Sequence, residues 1–339
     1  MNRRTGGERK SEIVVITGAS AGIGRATARE FARRGAHIGL LARGIDGLEA
    51  AKREVEALGG RALAIQTDVA NLHQIESAAE QVEVELGPID VWVNNAFAGM
   101  FSKFMDMTLD EFRRVTDVTY FGQVHGTRAA LKRMLPRDRG AIVLVGSALA
   151  YRGIPLQSAY CAAKHALQGF QDSIRAELLH DHSNVHITMV QLPAVNTPQF
   201  DWIRTRIPRQ PKPIGAIYQP EVAALAIWFA AHTRRKEIVV GAPAIKAIMA
   251  DKLASGLFDE YLARSAVEGQ QDQRPVSSEI QDNLFEPVSG DHGAHGRFGT
   301  HARSYSPLLW ASMNRGFIVA AIAAGAAALR LSMGRRPRA

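Results

Sequence analysis

The chain has 339 residues, of which 46% are hydrophobic and 22% charged, and these proportions exclude a disordered or fibrous protein. They predict a sizeable core, in one α/β domain of about 240–250 residues or in two smaller domains. The net charge of +8 is carried by the two ends, since residues 1–10 contribute +3 and residues 301–339 contribute +6. The near-neutral middle of the chain excludes a basic nucleic-acid-binding face, and the basic ends favour contact with anionic lipid headgroups, with solvated tails as the alternative.

The cellular compartment and the absence of a metal are also predicted from composition. The single cysteine, Cys161, excludes an intrachain disulfide and favours a reducing compartment. No apolar segment of signal-peptide length follows the basic first residues, so we expect a cytoplasmic catalytic body. We expect no metal site, because His292, His295 and His301 match no ligand spacing and a solvated loop explains them better.

Seven short apolar segments, separated by helical patterns, predict the strands of a sheet. They cover residues 13–17, 37–42, 62–67, 89–93, 141–145, 185–191 and 237–240. Apolar residues at helical spacing are clearest over 109–135 and 159–179. This alternation predicts an α/β fold with a Rossmann-type doubly wound parallel sheet of about seven strands, which binds ligands at the carboxyl ends of its strands. We expect residues 11–243 to form a dinucleotide-binding catalytic domain.

Further segments flank this domain. Residues 1–10 form a basic N-terminal tail, and residues 244–268 form one added C-terminal helix with an apolar face. Residues 269–306 contain few aliphatic side chains, and we expect an extended linker there because such a composition buries little apolar surface. Residues 307–339 predict an apolar and basic tail helix.

The tail helix contains an uninterrupted apolar run of 14 residues at 316–329, which is shorter than the roughly 20 residues that a spanning helix needs. Its length and its basic flanks favour a helix that lies on a membrane surface. A helix packed on protein and a solvated tail are the alternatives. The membrane surface is therefore a candidate partner of an otherwise cytoplasmic protein.

A glycine-rich turn follows the first predicted strand. It contains Gly18, Gly22 and Gly24, and a helical pattern begins at once from Ile23. A diphosphate needs several backbone N–H groups, and side chains larger than hydrogen would block its approach. The dipole of the following helix adds to the attraction for phosphate. The spacing is not the common G-x-G-x-x-G, and a simple tight turn is the alternative.

The residue after the second predicted strand distinguishes the two nicotinamide cofactors. An acidic residue there would bind a ribose 2′-hydroxyl and repel a 2′-phosphate, but the chain has Arg43. Arginine pairs with phosphate, so the sequence favours NADP(H), with a surface arginine as the alternative. Asp68, after the third strand, is suited either to accept a hydrogen bond from the adenine amino group or to cap the helix that starts near Asn71.

Tyr160 and Lys164 are four residues apart in a helical pattern, so their side chains project from the same face. Ser147 lies thirteen residues before Tyr160, at the carboxyl end of a buried strand. A free tyrosine titrates near 10, and Lys164 together with a positively charged nicotinamide would stabilise its phenolate. We expect Ser147 to hold the substrate oxygen, Tyr160 to exchange the proton and the cofactor to carry the hydride. An amphipathic helix with a partly exposed tyrosine and lysine is the alternative.

With these motifs the chain resembles the short-chain dehydrogenase/reductase family over residues 11–241. Residues 17–24 match its T-G-x-x-x-G-x-G motif, Asp68-Val69 its adenine-site pair, Asn94-Asn95-Ala96 most of its N-N-A-G motif, and residues 193–198 its segment after the sixth strand. The resemblance implies a homodimer or homotetramer, with Thr197 at the nicotinamide carboxamide and Lys164 at the nicotinamide ribose. The predicted cofactor-binding residues are Gly18, Ser20, Gly22, Ile23, Gly24, Arg43, Asp68, Val69, Asn95, Ala96, Tyr160, Lys164 and Thr197.

The chain departs from the family pattern at two positions. Phe97 replaces the glycine of N-N-A-G and puts bulk near the cofactor. Thr119 stands where the family usually has asparagine as a fourth catalytic member, which supports a water that links the lysine to solvent through a main-chain carbonyl. Threonine keeps the carbonyl and loses the amide, so the predicted catalytic set is Ser147, Tyr160 and Lys164.

The sequence therefore predicts an NADP(H)-dependent oxidoreductase that interconverts a carbonyl and an alcohol. Phe200, Trp202, Ile203, Ile207 and Ile214 suggest a small apolar substrate, in a pocket walled also by residues 97–104 and the C-terminal helix. A lid packed on the core is the alternative for these side chains. The rival hypothesis is a cofactor-binding sensor or scaffold that its C-terminal tail recruits to a membrane.

Overall fold

The computed structural model describes residues 11–277 and 281–320, with the backbone alone for residues 242–255. The predicted basic tail at 1–10 lies outside the described residues. So does the part of the predicted tail helix after residue 320.

The core of the molecule is one sheet of seven strands. These are β1 (Ile13–Thr17), β2 (His37–Ala42), β3 (Ala62–Gln66), β4 (Val91–Asn94), β5 (Ala141–Val145), β6 (His186–Gln191) and β7 (Glu237–Val239). Their spatial order is β7-β6-β5-β4-β1-β2-β3, and each neighbouring pair is parallel. The predicted Rossmann-type sheet of about seven strands is confirmed. Its order reverses between β1 and β4, the position where such sheets bind ligands.

Helices cover both faces of the sheet, which explains why its strands are almost continuously apolar. The core on one face includes Phe31, Leu48 and Ile227, and that on the other includes Ile75, Val115 and Leu167. The helices of the catalytic domain are α1 (Gly22–Ala32), α2 (Ile45–Ala57), α3 (Leu72–Glu85), α4 (Leu109–Thr116), α5 (Gly122–Met134), α6 (Ser158–His180) and α7 (Pro220–Ala231).

The helical pattern predicted over 109–135 is divided by a π-helical turn, Asp117–Phe121, between α4 and α5. The turn contains Thr119, whose hydroxyl donates to the carbonyl of Ala98 at 2.8 Å and accepts its N–H at 3.0 Å. Gly122 follows directly, and a Cβ there would lie 2.6 Å from Val69. Close contacts with the ends of β3 and β4 therefore coincide with the irregular turn, as is common for π-bulges near functional sites.

The C-terminal third returns to the body of the protein. Helix α8 (Ala242–Gly269) covers the segment where a helix was predicted, and Gln271–Pro275 then pairs antiparallel with Arg209–Pro211. Two other short parallel pairs join Met100–Phe101 to Arg204–Thr205, and Ala194–Val195 to Ile217–Tyr218.

Residues 281–298, which we call the strap, correct the expectation of an extended linker. Leu284 of the strap is fully buried in the same core cluster as Ile75 and Val115, and the carboxylate of Asp291 pairs with Arg25 at 2.9 Å. Backbone carbonyls of the strap accept hydrogen bonds from Arg43 and Arg114. The low aliphatic content of this segment led to the prediction of an extended linker. The prediction was wrong because hydrogen bonds to arginines of the body, rather than apolar burial, hold most of the strap.

The chain continues into α9 (Pro307–Met313), where Leu309 is buried against the core on the α7 face. This helix falls at the start of the predicted tail helix. Across residues 11–277 and 281–320, no helix is long and apolar enough to cross a membrane.

A cluster of charged side chains joins α1 to α2. Arg29 and Arg25 both donate to the carboxylate of Glu54, at distances of 2.6 to 3.0 Å. Burial by itself would raise the pKa of Glu54, but the two guanidinium groups lower it to about 2. Since an unfolded glutamate titrates near 4.3, this carboxylate contributes stability that is present above that pH and is lost as the pH falls toward 2.

We expect Glu54→Gln to lower the free energy of unfolding at pH 7 by about 1–2 kcal/mol, because charge-assisted hydrogen bonds become neutral ones. The variant should also lose part of the decline in stability below pH 4.5. Denaturant unfolding at several pH values measures both effects. Glu56→Gln on the same helix is the control, because Glu56 is exposed and lies 3.9 Å from Lys52; an equal loss in both variants would contradict the prediction.

Candidate active site

The glycine turn between β1 and α1 has room only for glycine. Gly18 and Gly22 have positive φ angles of 66° and 57°. A Cβ on Gly24 would lie 2.1 Å from the Gly18 carbonyl oxygen and 2.7 Å from Nδ2 of Asn95. The bare backbone lets the N-terminus of α1 approach the end of β1, directly beneath the cleft.

Hydrogen bonds from the end of β4 hold this turn in place. Oγ1 of Thr17 accepts the N–H groups of Asn95 at 2.9 Å and of Ala96 at 3.0 Å. In return, Nδ2 of Asn95 donates to the carbonyls of Thr17 at 2.9 Å and Gly18 at 3.2 Å. The conformation of the turn is therefore fixed by side chains of β1 and β4 and not by the turn alone.

A cleft of about 190 Å³ opens over the turn at the carboxyl ends of the strands. Most of the predicted cofactor-binding residues line it: Gly18, Ser20, Gly22, Ile23, Arg43, Asp68, Val69, Asn95, Ala96 and Thr197. Gly24 lies beneath the turn, where it permits the close packing described above. Tyr160 and Lys164 line the adjoining cavity.

Arg43 stands at the edge of the cleft, but its guanidinium group contacts the strap. Nη1 donates to the carbonyls of Phe285 at 2.6 Å and Leu284 at 3.4 Å, and Nη2 donates to that of Asn283. Burial lowers the pKa of Arg43, and the charge of Arg114 lowers it further. Arg43 thus lines the cleft as predicted, but its guanidinium donors are bound to carbonyl groups of the strap, and its contact with a 2′-phosphate stays a prediction.

The carboxylate of Asp68 is engaged by protein groups on both oxygens. Oδ1 accepts the N–H of Ala70 at 3.0 Å, and Oδ2 pairs with Arg114 at 2.7 Å. Helix α3 is capped by Asn71, whose side chain accepts the N–H groups of His73 and Gln74. The predicted capping of this helix by Asp68 is therefore wrong, because Asn71 caps it. Asp68 lines the cleft, and its contact with the adenine amino group stays a prediction.

A second cavity, of about 310 Å³, adjoins the cleft. Ile23, Asn95, Phe97 and Thr197 line both spaces and mark their junction. The cavity walls are mainly apolar, and they include Phe101, Phe200, Ile203, Ile214, Phe258 and Leu262. Each segment that we expect to wall the substrate pocket, residues 97–104, residues 199–217 and α8, contributes side chains to this cavity.

Two of the predicted apolar residues lie elsewhere. Trp202 lines the nucleotide cleft, where its ring contacts that of His292 in the strap with centroids 4.4 Å apart. Ile207 is buried in a small core with Phe101 and Leu156. The hydrophobicity of a segment predicted its burial but not which of two neighbouring spaces each side chain would face.

Ser147, Tyr160 and Lys164 all line the second cavity, close to its junction with the cleft. Ser147 follows β5, and the other two project from the first turns of α6. Nζ of Lys164 lies 5.6 Å from the centre of the Tyr160 ring and donates to the carbonyl of Val145 at 2.6 Å. The ring of Phe97 packs edge-on against Tyr160, with centroids 5.8 Å apart.

The cavity perturbs both titratable groups of this set. Burial raises the pKa of Tyr160 to about 12, although the Ser147 hydroxyl acts in the opposite direction. Burial also lowers the pKa of Lys164 to about 7. At neutral pH the phenol therefore keeps its proton, while the lysine exchanges one readily.

The two spaces together fit a dinucleotide and a small apolar molecule. A Cβ on Gly18 would lie 2.9 Å from Cα of Ala96, and one on Gly22 would lie 3.1 Å from the side chain of Thr197. The floor of the cleft is therefore bare backbone at the N-terminus of α1, which is the arrangement that a diphosphate requires. Thr197 lies at the junction of the two spaces, and its contact with the nicotinamide carboxamide stays a prediction.

Sequence reasoning missed the strap as a wall of this cleft. Its residues Asn283, Pro287, Val288, Gly290 and His292 line the cleft, and the N–H of Gly22 donates to the carbonyl of Gly293 at 3.0 Å. The local sequence signal for a buried segment was limited to two apolar dipeptides within a polar stretch, Leu284-Phe285 and Pro287-Val288.

We expect Gly24→Ala to unfold the turn locally and to abolish dinucleotide binding, because its Cβ would overlap backbone atoms that cannot move aside. Isothermal titration with NADPH and NADH measures the loss. Gly169→Ala is the matched control: this glycine lies in α6 with no atom within 4 Å of its added Cβ. The control should be unchanged or more stable by about 0.5–1 kcal/mol, and equal behaviour of the two variants would contradict the prediction.

Comparison with known proteins is consistent with this geometry. The family model for short chain dehydrogenases matches residues 12–207. The "uncharacterized oxidoreductase YxnA" of Bacillus subtilis is 33% identical over 319 residues, which cover 93% of this chain and 89% of that one. A 3-dehydrosphinganine reductase of Danio rerio is 35% identical over 219 residues, which cover 62% of this chain and 65% of the relative.

Solved structures show the same fold. An alcohol dehydrogenase of the archaeon Thermococcus sibiricus, complexed with 5-hydroxy-NADP, has a TM-score of 0.60 at 26% identity, over 68% of this chain and 96% of that one. A metagenomic short-chain oxidoreductase in complex with NADP has a TM-score of 0.57 at 28% identity, over the same shares. With the glycine turn, the seven-stranded sheet and a family match over more than half of its length, the chain belongs to the short-chain dehydrogenase/reductase family.

Proposed function

We propose that this protein interconverts an apolar ketone or aldehyde and its alcohol with NADP(H), and that Tyr160 is the general acid/base. The observation that carries the proposal is the position of Ser147, Tyr160 and Lys164 in one cavity wall, at the junction with a cleft that fits a dinucleotide. A hydride donor in the cleft and a carbonyl group in the cavity would meet at this junction.

Each side chain has a distinct task in this proposal. A bound NADPH supplies the hydride to the carbonyl carbon. The Ser147 hydroxyl holds the substrate oxygen, and Tyr160 donates its proton to that oxygen as negative charge develops there. Lys164 binds the nicotinamide ribose and stabilises the phenolate that remains. The apolar walls exclude water and so strengthen these interactions.

The pKa of Tyr160 suits this residue to act as an acid at neutral pH. A phenol with a pKa of about 12 keeps its proton until negative charge develops on the substrate oxygen. Oxidation needs the phenolate, which Lys164 and a positively charged nicotinamide would stabilise together.

Two observations support NADP(H) over NAD(H). Arg43 is at the cleft edge where a 2′-phosphate would lie, and it is not paired there with a carboxylate of the neighbouring strand. Both solved structures described above carry NADP or a derivative of it. The substrate class rests on the apolar cavity walls, and the similarity to a 3-dehydrosphinganine reductase supports a ketone with a long apolar chain.

The central test is Tyr160→Phe. We expect at least a thousandfold loss of NADPH-dependent carbonyl reduction, with NADPH affinity within about twofold, because the variant lacks only the proton donor. The measurement is NADPH oxidation with a panel of ketones, aldehydes and lipids. Tyr305→Phe, at an exposed position, is the control and should keep full activity.

Two outcomes would oppose this function. Turnover that survives in Tyr160→Phe would exclude Tyr160 as the acid. Tight NADPH binding by the wild-type protein without oxidation by any carbonyl of the panel would favour the rival function of a cofactor-binding sensor or scaffold.

Cofactor choice is tested with Arg43→Ala. We expect the Kd for NADPH to rise about 10- to 100-fold and the Kd for NADH to stay within about threefold, since only NADPH carries the 2′-phosphate that Arg43 would bind. Isothermal titration measures both. A parallel loss for the two cofactors would mean that Arg43 acts only by holding the strap. Arg53→Ala, at an exposed position on α2, is the control.

The predicted homodimer or homotetramer and the predicted membrane contact of the tail stay predictions. Deletion of residues 308–339 tests the second by subcellular fractionation.

A further inference from the structure

Two side chains share one acceptor beneath the second cavity. The carbonyl of Val145, at the end of β5, accepts a hydrogen bond from Nζ of Lys164 at 2.6 Å and from Nε2 of Gln123 at 3.2 Å. Strand β4 stops at Asn94, opposite Leu144, and so leaves this carbonyl to side-chain donors. The amide of Gln123, from α5, is therefore the immediate polar neighbour of the lysine.

The other end of this amide is buried and unused. Gln123 is 1% exposed, and its Oε1 has no hydrogen-bond partner among the residues that the structure describes. The orientation of the amide is fixed, because only Nε2 can donate to the Val145 carbonyl. Buried amide oxygens are nearly always paired with protein or with ordered water. This Oε1 belongs to the amide that shares an acceptor with the lysine, so it offers a buried acceptor for a water molecule or for an arriving donor.

Lys164 has donors available for such a partner, since an ammonium has three N–H groups and the Val145 carbonyl takes one. The titratable groups around it are Tyr160 on its own helix and Arg152 in the wall of the same cavity. Ser147 and Gln123 face it from β5 and α5 as neutral groups. Among the described residues that line the cavity there is no carboxylate, so a neutral acceptor must stabilise the charged lysine.

We propose that Gln123 is a positioning residue for Lys164, and that its Oε1 holds the water molecule through which the lysine exchanges its proton with solvent. The proposal rests on the proposed function, in which Tyr160 gives one proton to the substrate oxygen during reduction. The Lys164 ammonium returns one proton to the phenolate and becomes a neutral amine. The amine then takes one proton from the water, which regains it from solvent, so one proton crosses the site in each turnover.

The side chain of Thr119 does not provide this acceptor. The hydroxyl of Thr119 is bound to the carbonyl and the N–H of Ala98, both within 3.0 Å. Gln123 lies four residues later, in the first turn of α5 and directly after the π-helical turn. Position 119 thus lacks the amide that the family resemblance predicts. Gln123 supplies an amide instead, and this amide donates to the same carbonyl as Lys164.

The first test measures the pKa of Lys164 directly, by NMR of the full chain labelled with ¹³Cε-lysine and assigned with Lys164→Met. Gln123→Met keeps the length of the side chain and removes the amide, and we expect it to lower the pKa of Lys164 by about one unit, a tenfold change in protonation. Gln123→Glu replaces the amide with a carboxylate on a side chain of the same length. Its negative charge should raise the pKa of Lys164 by about one unit or more.

The second test follows turnover, with the apolar diketone phenanthrenequinone as the probe. In Gln123→Met we expect kcat to fall about tenfold or more while KM and the Kd for NADPH stay within about twofold. The pH profile of kcat should move in the same direction as the pKa of Lys164 in each variant. A residue that only supports packing would not move the pH profile.

Gln171→Met is the matched control for both tests. Gln171 is 2% exposed and its Nε2 donates to a backbone carbonyl, that of Lys236, at 2.6 Å. It resembles Gln123 in burial and bonding but lies away from the cavity. We expect it to lower the melting temperature without changing the pKa of Lys164.

The proposal is overturned if the pKa of Lys164 changes by less than about 0.3 units in Gln123→Met. Should that variant not fold, Gln123→Glu decides alone, and an unchanged pKa there overturns the proposal equally. Turnover that survives in Tyr160→Phe would instead overturn the proposed function, and the NMR result would still report whether Gln123 contacts Lys164.

Discussion

The hydrogen bonds between Thr17 and Asn95 are the constraint on which the rest of the site depends. They join the end of β1 to the end of β4, where the order of the sheet reverses, and they hold the glycine turn through its first carbonyls. The chain that continues from Asn95 then places Phe97 against Tyr160 and Ala98 against Thr119. One continuous piece of backbone therefore fixes the floor of the nucleotide cleft and the surroundings of the tyrosine together.

Arginines with paired donors explain how a polar segment can form a wall of the cleft. Arg25 is 2% exposed, and it donates to backbone carbonyls of the turn and of α2 as well as to Glu54 and Asp291. A buried charge is tolerated only when such partners surround it. The strap supplies Asp291 to Arg25 and backbone carbonyls to Arg43. Hydrogen bonds from these guanidinium groups therefore hold the strap against the body, and the buried side chain of Leu284 adds an apolar contact.

Burial governs the titration of the two groups at the other side of the junction. The same burial that raises the pKa of Tyr160 lowers that of Lys164, because a low dielectric disfavours the charged form of each group. The two values are pushed apart, so the tyrosine keeps its proton while the lysine can give or take one near neutral pH. In this setting a neutral acceptor of the lysine, such as the Val145 carbonyl, has a large influence on its charge.

The sequence by itself determined the α/β sheet, because continuous apolar strands and helical spacing are local patterns. It also determined the glycine turn and the set of Ser147, Tyr160 and Lys164, since a strand end and a helix turn fix their relative positions. Only the tertiary structure decided that Arg43 contacts the strap and that Gln123 shares an acceptor with Lys164. These contacts join residues up to about 240 positions apart, and composition and periodicity carry no information about which distant backbone carbonyl a polar side chain will meet.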